Sequence, residues 1–262
     1  MTSDALPCNA SADASHDSAV LRADLPLERA LGFTTTRQGG HSLGCFESWN
    51  LGDHVGDSAH AVKANRKLLA DYLPCSTMPR WLKQVHGNRV VAAHAVSDGI
   101  EADAAWTDRP GIACVVMTAD CLPILLACNG YPWVAAVHGG WRGLAGGVIE
   151  ATLNTCPHSQ AMLHAWLGPA IGPTVFEVGD DVVQAFTERY GASMQRHFQS
   201  VDRTHWLANL YGMASQILAD CGVTTVTGGG WCTYRDASRF FSYRRDGQTG
   251  RMASVIALPP VS

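Results

Sequence analysis

The order of apolar runs along the chain predicts an α+β fold of mixed sheets stacked as a sandwich. Two observations carry this. Strand-like runs arrive in clusters, with helical patterns between the clusters, which does not fit the regular alternation of a βαβ parallel sheet. No Gly-x-Gly-x-x-Gly follows any strand-like run and no P-loop occurs, so a nicotinamide or Walker-type nucleotide fold is not indicated.

The elements follow in chain order. Residues 1–24 are rich in Ser, Ala and Asp and read as a flexible leader, without the basic start and unbroken apolar core of a secretory signal. Residues 25–262 read as one catalytic domain. Its first strand is the β-branched run from Gly32 to Arg37, closed by Gln38-Gly39-Gly40. From Ser58 to Tyr72 the pattern is helical, with Ser58 as N-cap and Val62, Leu69 and Tyr72 on one face. Arg89 to Val96 and Ile112 to Ala119 read as strands. Pro123 to Cys128 and Trp133 to His138 form a hairpin around Asn129-Gly130, a dipeptide suited to tight turns. Helical patterns return from Leu144 to Leu153, from Asp180 to Tyr190 and from Trp206 to Cys221, and Ala253 to Leu258 is the final strand.

Composition bounds the function. Of 262 residues 47% are hydrophobic and 16% charged, so a large core is expected. A net charge of −4 gives no electrostatic pull toward nucleic acid or an anionic membrane. No apolar stretch approaches the roughly 20 residues of a membrane span, and the cytoplasm is the default address. Nine cysteines without a C-x-x-C pair read mainly as buried thiols, not a disulfide framework. The sequence sets no oligomeric state.

Chemistry concentrates in three strings: Gln84-Val85-His86-Gly87, Thr118-Ala119-Asp120-Cys121-Leu122-Pro123 and Val137-His138-Gly139-Gly140-Trp141-Arg142-Gly143. Singly, His86 reads as a turn histidine, Cys121 as a core thiol, and His138 as a strand-end histidine. Together they form a two-histidine, one-cysteine set that would hold zinc with one position open, the pattern of a catalytic metal. Their separations of 35 and 17 residues match no local zinc motif, so only folding could assemble them. His41, His54, His60 and His94 are alternative ligands. Arg142, opening a helix, suits phosphate or carboxylate, although a surface salt bridge is an equal reading. Arg37 and Asn50 carry the same ambiguity. Glu177 reads either as a general acid–base group or as part of a helix cap. The eight tryptophans read as core.

A longer series of strings resembles one family. It runs through Phe33-Thr34-Thr35-Thr36-Arg37-Gln38-Gly39-Gly40, Trp49-Asn50-Leu51-Gly52, Val55-Gly56-Asp57, Asn65-Arg66, the three strings above, Leu167-Gly168-Pro169-Ala170-Ile171-Gly172-Pro173, Cys232-Thr233-Tyr234 and Phe240-Phe241-Ser242-Tyr243-Arg244-Arg245. From Gly32 to Leu258 the chain is similar to the laccase-domain or multicopper polyphenol oxidase family, also called peptidoglycan editing factors and purine nucleoside phosphorylases. It departs where Thr174 and Val175 replace frequent cysteines, Gly139 an alanine and Trp49 a leucine.

The resemblance implies a single-domain α/β/β/α sandwich with a catalytic zinc on His86, Cys121 and His138. It implies phosphorolysis of adenosine, inosine and methylthioadenosine and deamination of adenosine, with nucleoside and phosphate as partners. Arg37 and Arg142 are then the phosphate candidates. One alternative is a Cys–His hydrolase acting on cell-wall precursors, with Cys121 as nucleophile. Another is a copper-dependent polyphenol oxidase. Copper could occupy the same three residues, but the chain has no His-x-His of the kind several copper centres need.

Overall fold

The strand Ile112–Thr118 shows how the layers arise. In the computed structural model, which describes residues 18–25 and 30–259, its side chains alternate between two cores. Ala113, Val115 and Met117 join Leu69 of the helix Ala59–Ala70 and Trp49 on one face. Cys114 and Val116 join Leu125, Ala127, Val134 and Ala136 of a second sheet on the other. The strand Leu122–Cys128 alternates in the same way. Leu125 and Ala127 face the first sheet, while Leu122, Ile124 and Leu126 pack on Leu144, Val148, Phe186 and Ile217 of the helices beyond. The period-2 geometry of a strand thus converts two wholly apolar runs into the middle of a four-layer α/β/β/α stack.

The first sheet has the order Val20–Arg22, Leu31–Thr35, Met252–Ala257, Ile112–Thr118, Met78–Arg80. The second has the order Thr225–Gly228, Leu163–Leu167, Leu122–Cys128, Val134–Gly139, Ala104–Thr107, Val90–Ala92. Each is mixed: most neighbours are antiparallel, but Met78–Arg80 runs parallel to Ile112–Thr118, and both edge strands of the second sheet run parallel to their neighbours.

Local chemistry sets the helix ends. Ser58 caps Ala59–Ala70 by accepting from the Ala61 N–H. Asp180 and Asp181 begin Asp180–Tyr190 and Arg189 lies in its last turn, both favourable to the helix dipole.

Several expected elements differ. The helix expected from Leu144 to Leu153 is two, Trp141–Ala145 and Val148–Leu153, because Gly147 takes a left-handed φ of 87°. The helix expected from Trp206 begins only at Leu210: His205–Ala208 is a strand, and Asn209 caps Leu210–Asp220 by accepting from the Gly212 N–H at 3.0 Å. The strand expected from Arg89 to Val96 shortens to Val90–Ala92. Ala104–Thr107, Leu163–Leu167 and Thr225–Gly228 are strands the sequence pattern did not mark. Of the expected leader, residues 1–17 lie outside the described residues, while Val20–Arg22 pair with Leu31–Thr35.

Candidate functional site

The central hairpin brings two of the three candidate ligands side by side. Its register pairs Gly139 with Leu122 and His138 with Pro123, so Cys121, just before the strand, lies next to His138 near the end of its partner. His86 comes from a separate turn and holds a left-handed φ of 59°. The ligand atoms of His86, Cys121 and His138 all lie within 4.8 Å of one another. His138 is buried, Cys121 half-buried and His86 exposed, so the cluster opens to solvent on the His86 side.

Asp103, fully buried at the start of Ala104–Thr107, fixes two of these residues at once. Its Oδ1 accepts from His138 Nδ1 at 2.8 Å and from the His86 N–H at 2.9 Å. Its Oδ2 accepts from the N–H groups of Gly87 at 2.7 Å and Val85 at 3.3 Å. A proton on His138 Nδ1 leaves Nε2 to face the cluster, and a carboxylate behind a histidine is a recurrent support for metal ligands. Sequence reasoning missed Asp103. The available signal was a single acid immediately before the apolar run Ala104-Ala105-Trp106.

Cys121 is held by its neighbour. Asp120, at φ 94°, accepts from the Thr233 hydroxyl at 2.6 Å through Oδ1 and from the Arg244 N–H at 2.7 Å through Oδ2. Gly140 closes the floor. A Cβ there would lie 2.9 Å from His86 Nδ1, 3.2 Å from Cys121 Sγ and 3.5 Å from His138 Cε1, so a side chain would occupy the space among the three donors. A thiolate, two imidazoles and a void kept open by glycine fit a zinc-type ion.

The charges are arranged for the same purpose. Burial pushes the Cys121 thiol up, but His138 and His86 outweigh it and bring it down to about 6. Burial pushes His138 down, but Cys121 and Asp103 outweigh that and lift it to about 9. Asp103 resists burial in the same way, held below its ordinary range by His138 and the Gly87 and Val85 N–H groups. Without metal both directions favour a thiolate beside an imidazolium.

A cavity of about 460 Å³ lies over the cluster. Trp141, Ile171, Phe176, Leu210 and Tyr243 give it apolar walls, and Arg142, Arg244 and Arg251 give it positive charge. Arg142 is exposed and stacks over Trp141 at 4.4 Å. His54 is the one alternative histidine that lines the cavity, and it lies outside the ligand cluster.

Arg37, Asn50 and Glu177 do not line the cavity. Arg37 donates to the carbonyls of Glu47 and Ala237 and lies over Phe241, which makes it a brace between loops. Asn50 is fully buried, and its Oδ1 accepts from the N–H groups of Gly52 and Arg251. The exposed Glu177 begins the strand Glu177–Gly179, and its carbonyl accepts from Arg244 Nη1 at 2.9 Å. In the sequence Arg244 figures only within a family string, without a site role, and nothing singles out Arg251. Both are far along the chain from the ligands, Arg244 in the short helix Tyr243–Asp246 and Arg251 just before Met252–Ala257, and neither carries a local sign of which cavity it lines.

Residues 31–259 match the family described as multi-copper polyphenol oxidoreductase laccase. A Haemophilus influenzae protein named purine nucleoside phosphorylase is 47% identical over 227 residues, covering 86% of this chain and 92% of its own length. An Escherichia coli protein named purine nucleoside phosphorylase YfiH is 46% identical over 228 residues, with the same coverage. Among solved structures, Neisseria meningitidis protein NMB0706 superposes with a TM-score of 0.89 at 43% identity, over 92% of this chain and 100% of that one. YlmD from Geobacillus stearothermophilus gives 0.84 at 28% identity, over 92% of this chain and 97% of that one. With nearly all the described residues inside the match, the chain belongs to the multi-copper polyphenol oxidoreductase laccase family.

Proposed function

We propose that this chain is a zinc-dependent purine nucleoside enzyme that phosphorolyses adenosine, inosine and methylthioadenosine and deaminates adenosine. The observation that carries the reading is one cavity, of about 460 Å³, with His86, Cys121 and His138 at its floor and three arginines in its walls. That volume suits a small ligand with an apolar body and a few polar groups. The names of the relatives from Haemophilus influenzae and Escherichia coli support a purine nucleoside as that ligand.

Zinc held by His86, Cys121 and His138 would supply Lewis acidity at its open position. The chain's own residues do the rest. Asp103 holds the proton of His138 at Nδ1 and keeps the ring in place. Trp141, Phe176 and Tyr243 offer aromatic surface to the purine. In phosphorolysis a phosphate oxygen forms a bond to the anomeric carbon as the glycosidic nitrogen leaves with the bonding pair and takes up a proton. The arginines hold the phosphate and offset the charge that shifts during this displacement, and Arg142 is one of them. In deamination water adds at the purine C6 and ammonia leaves.

A several-copper oxidase needs more than one group of ligands. Among the described residues, only His86, Cys121 and His138 form a group of three or more potential ligands. The Cys–His hydrolase reading has one observation in its favour, a Cys121 thiol brought down to about 6 beside His138. Chelation separates the two, because a thiol nucleophile survives metal removal and is lost to alkylation.

The test is chromatographic analysis of products from adenosine, with and without phosphate, beside a Cys121→Ala control. Adenine that requires phosphate and inosine that does not, both lost in the control, support the reading. No product under either condition, from protein carrying zinc, refutes it.

A further inference from the structure

Arg251, immediately before the strand Met252–Ala257, is held in the cavity wall by its backbone and by one end of its guanidinium. Its N–H donates to Asn50 Oδ1 at 2.9 Å, and its Nη1 donates to the carbonyls of Thr249 and Gly250, each at 3.0 Å. Its stem lies against Gly52, where a Cβ would come within 2.8 Å of Arg251 Cγ. Asn50 is itself tied to the Gly52 carbonyl and to Asp57. The half-buried guanidinium nevertheless forms no ion pair, and its Nε and Nη2 have no hydrogen-bond partner among the described residues. The nearby negative groups are engaged elsewhere. Both carboxylate oxygens of Asp120 accept from Thr233 and Arg244, and Cys121 faces its two histidines.

A second group in the same wall is also unsatisfied. Thr118 is 1% exposed, lines the cavity, and its hydroxyl has no partner among the described residues. It pairs across the sheet with Met252, the residue after Arg251. The Nε/Nη2 edge of Arg251 is left without a protein partner, and a buried hydroxyl without one is unfavourable. Both groups line one cavity, and an anion bound there is the ligand that would serve both.

We propose that Arg251 and Thr118 form the oxyanion subsite of this cavity and bind phosphate. Arg251 gives the open Nε/Nη2 edge of its fork and Thr118 donates its hydroxyl to an oxygen of the same group. Asn50 and Gly52 are then positioning residues: one anchors the Arg251 backbone, and the other leaves room for its stem. The subsite rests on the nucleoside reading only for the use made of the anion.

The test is calorimetric titration of inorganic phosphate into the full-length, zinc-loaded chain. Arg251→Gln should weaken binding tenfold or more, and Thr118→Val, close in shape but without the hydroxyl, about tenfold. Arg109→Gln removes the same charge from an exposed pair with Asp108 and should change binding less than twofold. No binding by the unaltered chain, or unchanged binding by both cavity variants, overturns the subsite. If Arg251→Gln does not fold, Thr118→Val decides alone. Phosphate binding that responds as expected without any nucleoside turnover keeps the subsite and removes the nucleoside reading. Turnover whose phosphate requirement ignores both variants does the reverse.

Discussion

Replacing Asp103 by Asn should loosen the metal centre without touching a ligand. The two oxygens of Asp103 serve different partners: Oδ1 takes His138 and the His86 N–H, and Oδ2 takes the N–H groups of Val85 and Gly87. An asparagine has one oxygen, so whichever way its amide turns, two donors meet an NH₂ group. Supporting carboxylates of this kind are worth about ten- to a hundredfold in metal affinity, or roughly 1.4–2.8 kcal/mol. Two unsatisfied buried donors cost about 2–4 kcal/mol of stability, after partial relaxation, which for a chain of this size lowers Tm by roughly 4–16 °C. Zinc affinity measured by competition with a chromophoric chelator, together with a thermal melt, checks both figures. Affinity within about twofold of the unaltered chain, at an unchanged Tm, would refute the role given to Asp103.

Other outcomes follow from the same geometry. Gly140→Ala should abolish zinc binding while leaving the far-ultraviolet circular dichroism unchanged, because the added Cβ comes within 2.9 Å of His86 Nδ1 and 3.2 Å of Cys121 Sγ. Full zinc occupancy in that variant, measured by elemental analysis, would contradict the proposed floor. The metal-free protein should be most stable between pH 6 and 9. The raised His138 contributes fully below the ordinary imidazole value and loses its contribution as the pH rises through about 9. The lowered Cys121 contributes fully above the ordinary thiol value and loses its contribution as the pH falls through about 6. For the same reason zinc uptake at neutral pH should release about one proton, that of His138. Calorimetry in buffers of different ionisation enthalpy counts it, and zero release would remove the imidazolium. Asn65→Ala should lower stability by about 2–4 kcal/mol in a denaturant titration. This buried side chain accepts from the His41 N–H and donates to Ser42 and the Asn50 carbonyl, and an unchanged midpoint would deny it that role.

Much of this arrangement could be read in the sequence because it is local. Cys121 and His138 flank a hairpin whose strands are apolar runs closed by Pro or Gly, and the hairpin register makes them neighbours. The helix Asp180–Tyr190 has its acids and its base at the ends that the dipole favours, so its bounds were legible. What was not legible depends on contacts distant in sequence. Asp103 matters because the chain returns to it from His86 and His138. Arg37 has the chemistry of a phosphate ligand, but the carbonyls of Glu47 and of Ala237, 200 residues later, take its donors. Asn50 reads as a polar site residue, yet its oxygen is an anchor for Arg251, 201 residues later. At Gly147 a single left-handed residue divided a helix that periodicity alone would continue.

The most direct measurement is metal removal and return with adenosine as substrate. The chain is stripped with a chelator and then reloaded with zinc or with copper, and adenine, inosine and oxygen uptake are followed in parallel. The account predicts that chelation abolishes both purine products, that zinc restores them, and that adenine alone depends on phosphate. Turnover that survives chelation, or oxygen consumption restored by copper with no purine product, would contradict it.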